Sequence, residues 1–577
     1  MRRLLLILLL VFAFATVGAK RSKPVTIVFD GLDAPATLAE KQVVRSTSSM
    51  TIDGVEHPVG FVTLARDGDQ LGEHRIGRLI AHDGDPIRWP GGADRLCTRA
   101  DGATLQLVDG AIHLVTHHEC QPAVVYDTTL AQAEDGALTA VSAVPIDAAA
   151  VGGIGNACAA SPSPWGTHLG SEEYEADVRL LQPDGTVAGN DEGYNYFSAY
   201  FRGTLHGVHP YALGWIPEID VATTPATVTK HFAMGRFSHE QAIVLPDQRT
   251  VYLSDDGTNN ALFLFVADAA GDLSAGTLYA ARFTQQDDAF SLDWISLGHA
   301  TNDQVAPHVG GVPFDSLFAT ADAKPGECPE GLTGINTSAR HECLAVQPGQ
   351  ELLASRLETR RYAALRGATT ELRKAEGIAW DPDHGRVYMA VSAVARGMTA
   401  GHKKWDAGRD SGDHIRLAKN RCGVIYGGEV AAKTKDTDGA RIDSKYVLGG
   451  LRPFVTGVPE GERCAIDAMA NPDNVAWIPR ARVLLIAEDT DHHDSNVLWA
   501  ADLATEPPTL TRLMTTPLGA ELAGINWFPD VGGWGYLTVN VQNPYSVNPW
   551  TGASYEGGIP EGANRSYLGV LGPFPQF

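Results

Sequence analysis

His239-Glu240-Gln241-Ala242-Ile243-Val244-Leu245-Pro246, followed by Thr250-Val251-Tyr252-Leu253-Ser254-Asp255, decides how this chain is read. A short apolar run, a proline turn and a second apolar run describe a β-hairpin. The pattern recurs. Glu376-Gly-Ile-Ala-Trp-Asp-Pro382 leads to Arg386-Val-Tyr-Met-Ala, and Asp473-Asn-Val-Ala-Trp-Ile-Pro479 leads to Arg482-Val-Leu-Leu-Ile-Ala. A looser copy runs from Gly524-Ile-Asn-Trp-Phe-Pro529 to Gly535-Tyr-Leu-Thr-Val. Hairpins repeated without helices between them are the signature of propeller blades, whose inner strands ring a central axis. The expected fold is therefore an all-β propeller with loop and short helical insertions. Its best helical stretch lies around Glu351 to Leu372.

The same repeat carries charge. Glu240, Glu376 and Asp473 each stand six positions before the proline of their copy. If these acids open the inner strands, they meet at one mouth of the channel, where like charges raise one another's pKa. A bound cation removes that cost. The alternative is that each acid accepts backbone hydrogen bonds at a strand entry.

The remaining composition agrees. With 45 Lys+Arg against 69 Asp+Glu, the formal charge is −24, and 44% of residues are apolar. That acidity argues against a nucleic-acid or anionic-membrane partner, both of which need a basic face. It favours hard cations such as Ca²⁺, which oxygen ligands hold. Met1-Arg2-Arg3, an apolar run from Leu4 to Val17 and the small exit Val17-Gly18-Ala19 read as a signal peptide over residues 1–19, with a single propeller domain expected over 20–577 and no stable membrane anchor. A periplasmic or secreted location follows, in which most of the seven cysteines should pair. Cys328 with Cys343 is the easiest bridge; Cys97 with Cys120 and Cys422 with Cys464 are weaker choices that would leave Cys158 free.

Cys158 lies in the most distinctive segment, Asn156-Ala-Cys158-Ala-Ala-Ser-Pro-Ser-Pro164-Trp165-Gly166-Thr167-His-Leu-Gly-Ser-Glu172-Glu173. Further polar clusters are His117-His118-Glu119, Ser238-His239-Glu240, Ser254-Asp255-Asp256, Pro472-Asp473-Asn474 and Gly519-Ala520-Glu521. Together they form a recurring set of oxygen donors with one sulfur. In order along the chain, these blocks, with Gly235-Arg236-Phe237, Ala375-Glu376-Gly-Ile-Ala and Val541-Gln542-Asn543-Pro544, resemble the PhoX-type secreted alkaline phosphatases.

The resemblance implies a six-bladed propeller around a mixed iron and calcium cluster (Fe³⁺ and Ca²⁺), with an iron pair bridged in part by a cysteine thiolate. Cys158, Glu240 and Glu376 correspond to the residues around iron. Glu173, its neighbour Glu172, and Asp255, Asp256, Asp473, Asn474, Glu119 and Glu521 are the candidate calcium ligands. Lys374 stands where the family has a phosphate-holding arginine; lysine keeps the charge without the bidentate fork. The family's aromatic near the first glutamate is replaced after Glu240 by Gln241, and no arginine follows Asp255-Asp256. The implied activity is metal-dependent hydrolysis of a small phosphate ester, with Lys374, Cys158, Glu240 and Glu376 as the catalytic group and an altered substrate shell. Two other readings stay open: a calcium-dependent propeller lactonase or phosphotriesterase, which gives Cys158 no task, and a calcium-stabilised secreted propeller without chemistry. No Gly-x-Ser-x-Gly elbow, His-Glu-x-x-His helix or Walker loop is present. The His492-His493 pair reads as a surface turn, and residues 401–414 as a long exposed loop near the mouth.

Overall fold

The computed structural model describes residues 23–190, 193–205, 207–322, 327–337, 341–400, 413–546, 559 and 561–577. The expected signal peptide and most of the expected loop at 401–414 lie outside them. Six four-stranded antiparallel units make the ring. Blade one is Ala100–Val108, Ala111–His118, Val124–Gln132 and Leu138–Pro145; blade two is Ser161–Pro162, His168–Leu169, Pro217–Asp220 and Thr227–Lys230. Blade three is His239–Val244, Thr250–Asp255, Leu262–Ala269 and Asp272–Gln286, and blade four is Ala375–Asp381, Arg386–Val391, Val424–Ala431 and Gly450–Thr456. Pro472–Ile478, Val483–Glu488, Val497–Asp502 and Thr509–Thr515 form blade five. Blade six joins Glu521–Val531, Trp534–Gln542 and Tyr567–Phe574 to Gly60–Arg66 from the other end of the chain, so its outer ladder closes the ring. The four sequence copies are the inner hairpins of blades three to six.

The first strand of each blade faces the axis, and these inner strands pack in cyclic order. Apolar side chains fill the gaps between blades. Tyr252, Leu264 and Trp294 meet Met389 and Tyr426 between blades three and four, and Leu485 and Leu498 meet Leu522 and Val539 between blades five and six. Ala289–Thr301 pairs with Asp272–Gln286 and Gly450–Thr456, stitching blades three and four into one sheet.

Polar crossbars plug the channel itself. Gln241 Oε1 accepts from Ile378 N at 2.7 Å, Asn474 Oδ1 accepts from Gly524 N at 2.7 Å, and Asn526 Nδ2 donates to Ala103 O and Ala160 O, both at 2.9 Å. Each satisfies a backbone group that would otherwise be buried unpaired. The helical stretch expected around Glu351 to Leu372 resolves into Glu351–Leu357 and Thr359–Leu365, broken at Glu358. Disulfides join Cys97–Cys120, Cys328–Cys343 and Cys422–Cys464, leaving Cys158 as a free thiol. Among the described residues no helix is long and apolar enough to cross a membrane.

Candidate metal centre

The blade repeat builds the site. Asp101, Glu240, Glu376 and Asp473 are each the second residue of an inner strand, and Glu521 is the first of its own. In the first four the ladder register breaks immediately afterwards, between Ala100 and Ala103, His239 and Ala242, Ala375 and Ile378, and Pro472 and Val475. Such a bulge frees the strand entry from the pleat and re-aims its side chain, here toward the axis. Close approach of the strands depends on small residues beside the acids. A Cβ on Gly377 would lie 2.7 Å from Cα of Asn474, and one on Gly102 would lie 2.6 Å from Cys158 O.

A second set comes from the residue that follows the second strand: Glu119, Asp256, Asp489 and Asn543. Because neighbouring side chains of an extended chain point opposite ways, the residue before each of the three acids is turned outward, into a buried partner. His118 Nε2 meets Asp67 Oδ1 at 2.8 Å, Arg360 clamps both oxygens of Asp255, and Glu488 holds His493 Nδ1 at 2.9 Å. Cys158 arrives from the link between blades one and two, where Ala157 bridges Glu172.

These side chains converge on a cavity of about 280 Å³ that nine carboxylates line, Asp101, Glu119, Glu173, Glu240, Asp256, Glu376, Asp473, Asp489 and Glu521, with Cys158, Tyr174 and, among the described residues, Arg99 and Lys374 as its cations. Cys158 Sγ is 3.2 Å from Glu240 Oε2 and 3.6 Å from Asp101 Oδ2. Donor atoms of Cys158, Glu173 and Glu240 lie within 4.8 Å of one another, as do those of Glu240, Glu376 and Asp473, so Glu240 joins two clusters. Lys374 Nζ sits 2.9 Å from Glu376 Oε1 and 3.6 Å from Asp489 Oδ2. Tyr174 donates its hydroxyl to Asp256 Oδ2 at 3.2 Å.

So much buried negative charge cannot stay ionised without counter-charge. Burial and neighbouring carboxylates push Glu173, Glu240, Asp473 and Glu521 well above the usual range. Burial with the Asp256 charge lifts Glu376 to about 7, and burial with Glu119 lifts Asp101 to about 8. The Cys158 thiol is raised by burial, then by Asp101 and Glu173. Asp256 goes the other way: burial opposes ionisation, but Lys374, a hydrogen bond from Glu173, Arg373 and the Gly257 N–H together outweigh it. Without cations the cluster therefore holds protons at neutral pH, and a protonated Glu173 hydrogen-bonds to Asp256. One soft sulfur among hard oxygens, with protons standing in for missing positive charge, is a donor set that fits a group of metal ions.

Nine of the sequence-derived candidates meet here: Cys158, Glu240, Glu376, Glu173, Asp256, Asp473, Glu119, Glu521 and Lys374. Three do not, and correct the expectation. Glu172 faces away, taking Lys230 Nζ at 2.8 Å and the backbone N–H groups of Gly155, Gly214 and Trp215. Asp255 is committed to Arg360 and to Ala261 N. Asn474 lies behind the acids, with its oxygen held by Gly524 and its amide donating to Asp473 Oδ1 at 3.1 Å, so it steadies Asp473. Asp101, Asp489, Arg99 and Tyr174 were missed. Asp489 was findable, because it occupies the repeat position of Asp256, and Asp101 that of Glu240. His493 is buried in its pair with Glu488 and is structural.

A protein-family model described as alkaline phosphatase PhoX matches residues 131–545. Among solved structures, the chain is similar to Pseudomonas fluorescens PhoX in complex with vanadate, a transition state analogue, at 18% identity and a TM-score of 0.60, over 94% of this chain and 98% of that one. It also aligns with a gluconolactonase from Xanthomonas campestris at 13% identity and a TM-score of 0.29, over 89% of this chain and 100% of that one. No curated protein sequence matches it.

Proposed function

The chain belongs to the alkaline phosphatase PhoX family and is a phosphatase, and we propose that it hydrolyses small phosphate esters at this carboxylate cup with iron and calcium as its cations. The observation that carries the reading is the convergence of nine carboxylates and a free thiol on one small cavity. The donors divide by softness: Cys158 with Glu240 and Glu376 suits iron, and the all-oxygen set of Glu173, Asp256, Asp473, Glu119 and Glu521, extended by Asp101 and Asp489, suits calcium. Bound there, the cations supply the positive charge that stabilises a phosphoryl group during transfer and help to generate its nucleophile.

The chain's own residues prepare the cup for an anion. Lys374, held at a left-handed φ of 51° and tied to Glu376 and Asp489, keeps its ammonium at the cavity wall. It offers a point charge where an arginine would offer a fork, so phosphate orientation rests more on the cations. Tyr174 orients Asp256 through its hydroxyl. Six paired cysteines suit an oxidising compartment, which supports export to the periplasm or beyond.

Chelation tests this. Stripping the purified protein should abolish turnover of a chromogenic phosphate ester, with recovery on return of iron and calcium together. Unchanged turnover in the stripped protein would overturn the reading.

A further inference from the structure

Beside the cup lies a second cavity of about 280 Å³, whose lining includes Trp89, Arg95, Arg99, Asn156 and Tyr196. Arg99 belongs to both cavities. Asn156 connects them through hydrogen bonds from its amide to Glu119 Oε1 at 3.3 Å and Glu173 Oε2 at 3.4 Å. Two properties set this pocket apart from the rest of an acidic surface. Its large aromatic rings stand open, Trp89 at 54% and Tyr196 at 47% exposure. Its arginines also lack close partners of opposite charge: neither Arg95 nor Arg99 has a side-chain hydrogen bond or a close ion pair among the described residues, although the Arg99 charge acts on Glu119. Arg95 instead lies over both rings, 4.9 Å from the Trp89 centroid and 5.6 Å from that of Tyr196. A charge of −24 leaves no shortage of carboxylates, so two guanidinium groups in one pocket without a hydrogen-bonded carboxylate point to a place for an anion.

Position in the repeat sharpens this. Arg99 immediately precedes the inner strand of blade one, as Lys374 precedes that of blade four. The other described blades with an acid at the strand entry carry Ser238, Asn471 and Ala520 there. Lys374 shares its charge with Glu376 and Asp489. Arg99, with no carboxylate hydrogen-bonded to its guanidinium, can hold a phosphoryl oxygen with a bidentate fork that lysine lacks.

We propose that the Trp89–Arg95–Tyr196 pocket receives the alcohol part of the ester, that Arg99 holds the phosphate between pocket and cup, and that the preferred substrates carry a planar aromatic group, nucleoside monophosphates being the chemical class. A flat ring stacks on exposed Trp and Tyr faces and on a guanidinium plane, whereas a glycerol or other aliphatic alcohol gains nothing from them. This rests on the phosphatase reading and adds the leaving group to it.

The test compares adenosine 5′-monophosphate with glycerol 3-phosphate on the metal-loaded full chain. The wild type should favour the nucleotide in kcat/KM, and Trp89→Ala should lower that preference by about tenfold, in line with the loss of one stacking contact. Arg99→Ala should raise KM for both esters. Adenosine alone should inhibit the wild type competitively and the Trp89 variant less. An unchanged ratio of the two esters in Trp89→Ala would overturn the pocket while leaving the phosphatase reading intact. If neither ester is hydrolysed, the phosphatase reading fails instead, and quenching of intrinsic fluorescence by adenosine 5′-monophosphate, present in wild type and lost in Trp89→Ala, still decides the pocket.

Discussion

Adjacent acids in this chain do opposite jobs. Glu173 and Asp256 enter the cup while Glu172 and Asp255 are sealed in ion pairs with Lys230 and Arg360. Sequence showed the acids but not which of each pair would be claimed, because the claimant is remote: Arg360 is 105 residues from Asp255 and Lys230 is 58 from Glu172. Removing either claimant would leave a buried unpaired charge, which typically costs about 3–5 kcal/mol. The acids inside the cup give a pH signature. Glu376 at about 7 and Asp101 at about 8 lie above their ordinary values of 4.5 and 3.8. In the cation-free protein the folded state therefore binds more protons than the unfolded one across that window. The stability these two groups contribute is fully present below pH of about 4 and is lost as pH rises through about 7 and about 8. Denaturant titration of chelated protein should show that decline, and calcium should flatten it. A calcium-independent profile would mean that these carboxyls do not face a cation.

Inner hairpins explain both what was legible and what was hidden. Blades three to six announced themselves through apolar runs joined at a proline turn. Blade one turns instead through Asp109 and Gly110, both at positive φ, so the same strand pair carries no proline landmark and Asp101 escaped notice. Blade two has inner strands of two residues and an insertion before its third, too short for any period to register. What the sequence did convey was spacing: acids six residues before a proline in three copies imply one shared site, wherever the loops run. Close strand approach is the element-level requirement. Gly377→Ala would drive a methyl group against Asn474 Cα and Asp473 O, at 2.7 and 2.8 Å. The expected outcome is a loss of about 1–3 kcal/mol, as for other overpacked positions, with weaker calcium binding as Asp473 is displaced. Thermal melts with and without calcium would check both effects. Equal melting temperatures for variant and wild type would show that the strands have room to spare.

Across the molecule, ring closure converts distant chain segments into one centre. Strand Gly60–Arg66 completes the blade that carries Glu521, and Cys97–Cys120 brackets the strand pair that presents Arg99, Asp101 and Glu119. An anionic substrate approaching a protein of charge −24 meets repulsion unless cations reverse the field at the cup. Everything functional therefore depends on whether metal sits between the thiol and the carboxylates. The most direct measurement is anomalous scattering at the iron edge from crystals of the purified, unstripped protein. The account predicts a peak bounded by Cys158 Sγ, Glu240 and Glu376, with further oxygen-ringed density near Glu173 and Asp473. A Cys158 thiol with no anomalous peak beside it, in protein that still turns over phosphate esters, would contradict it.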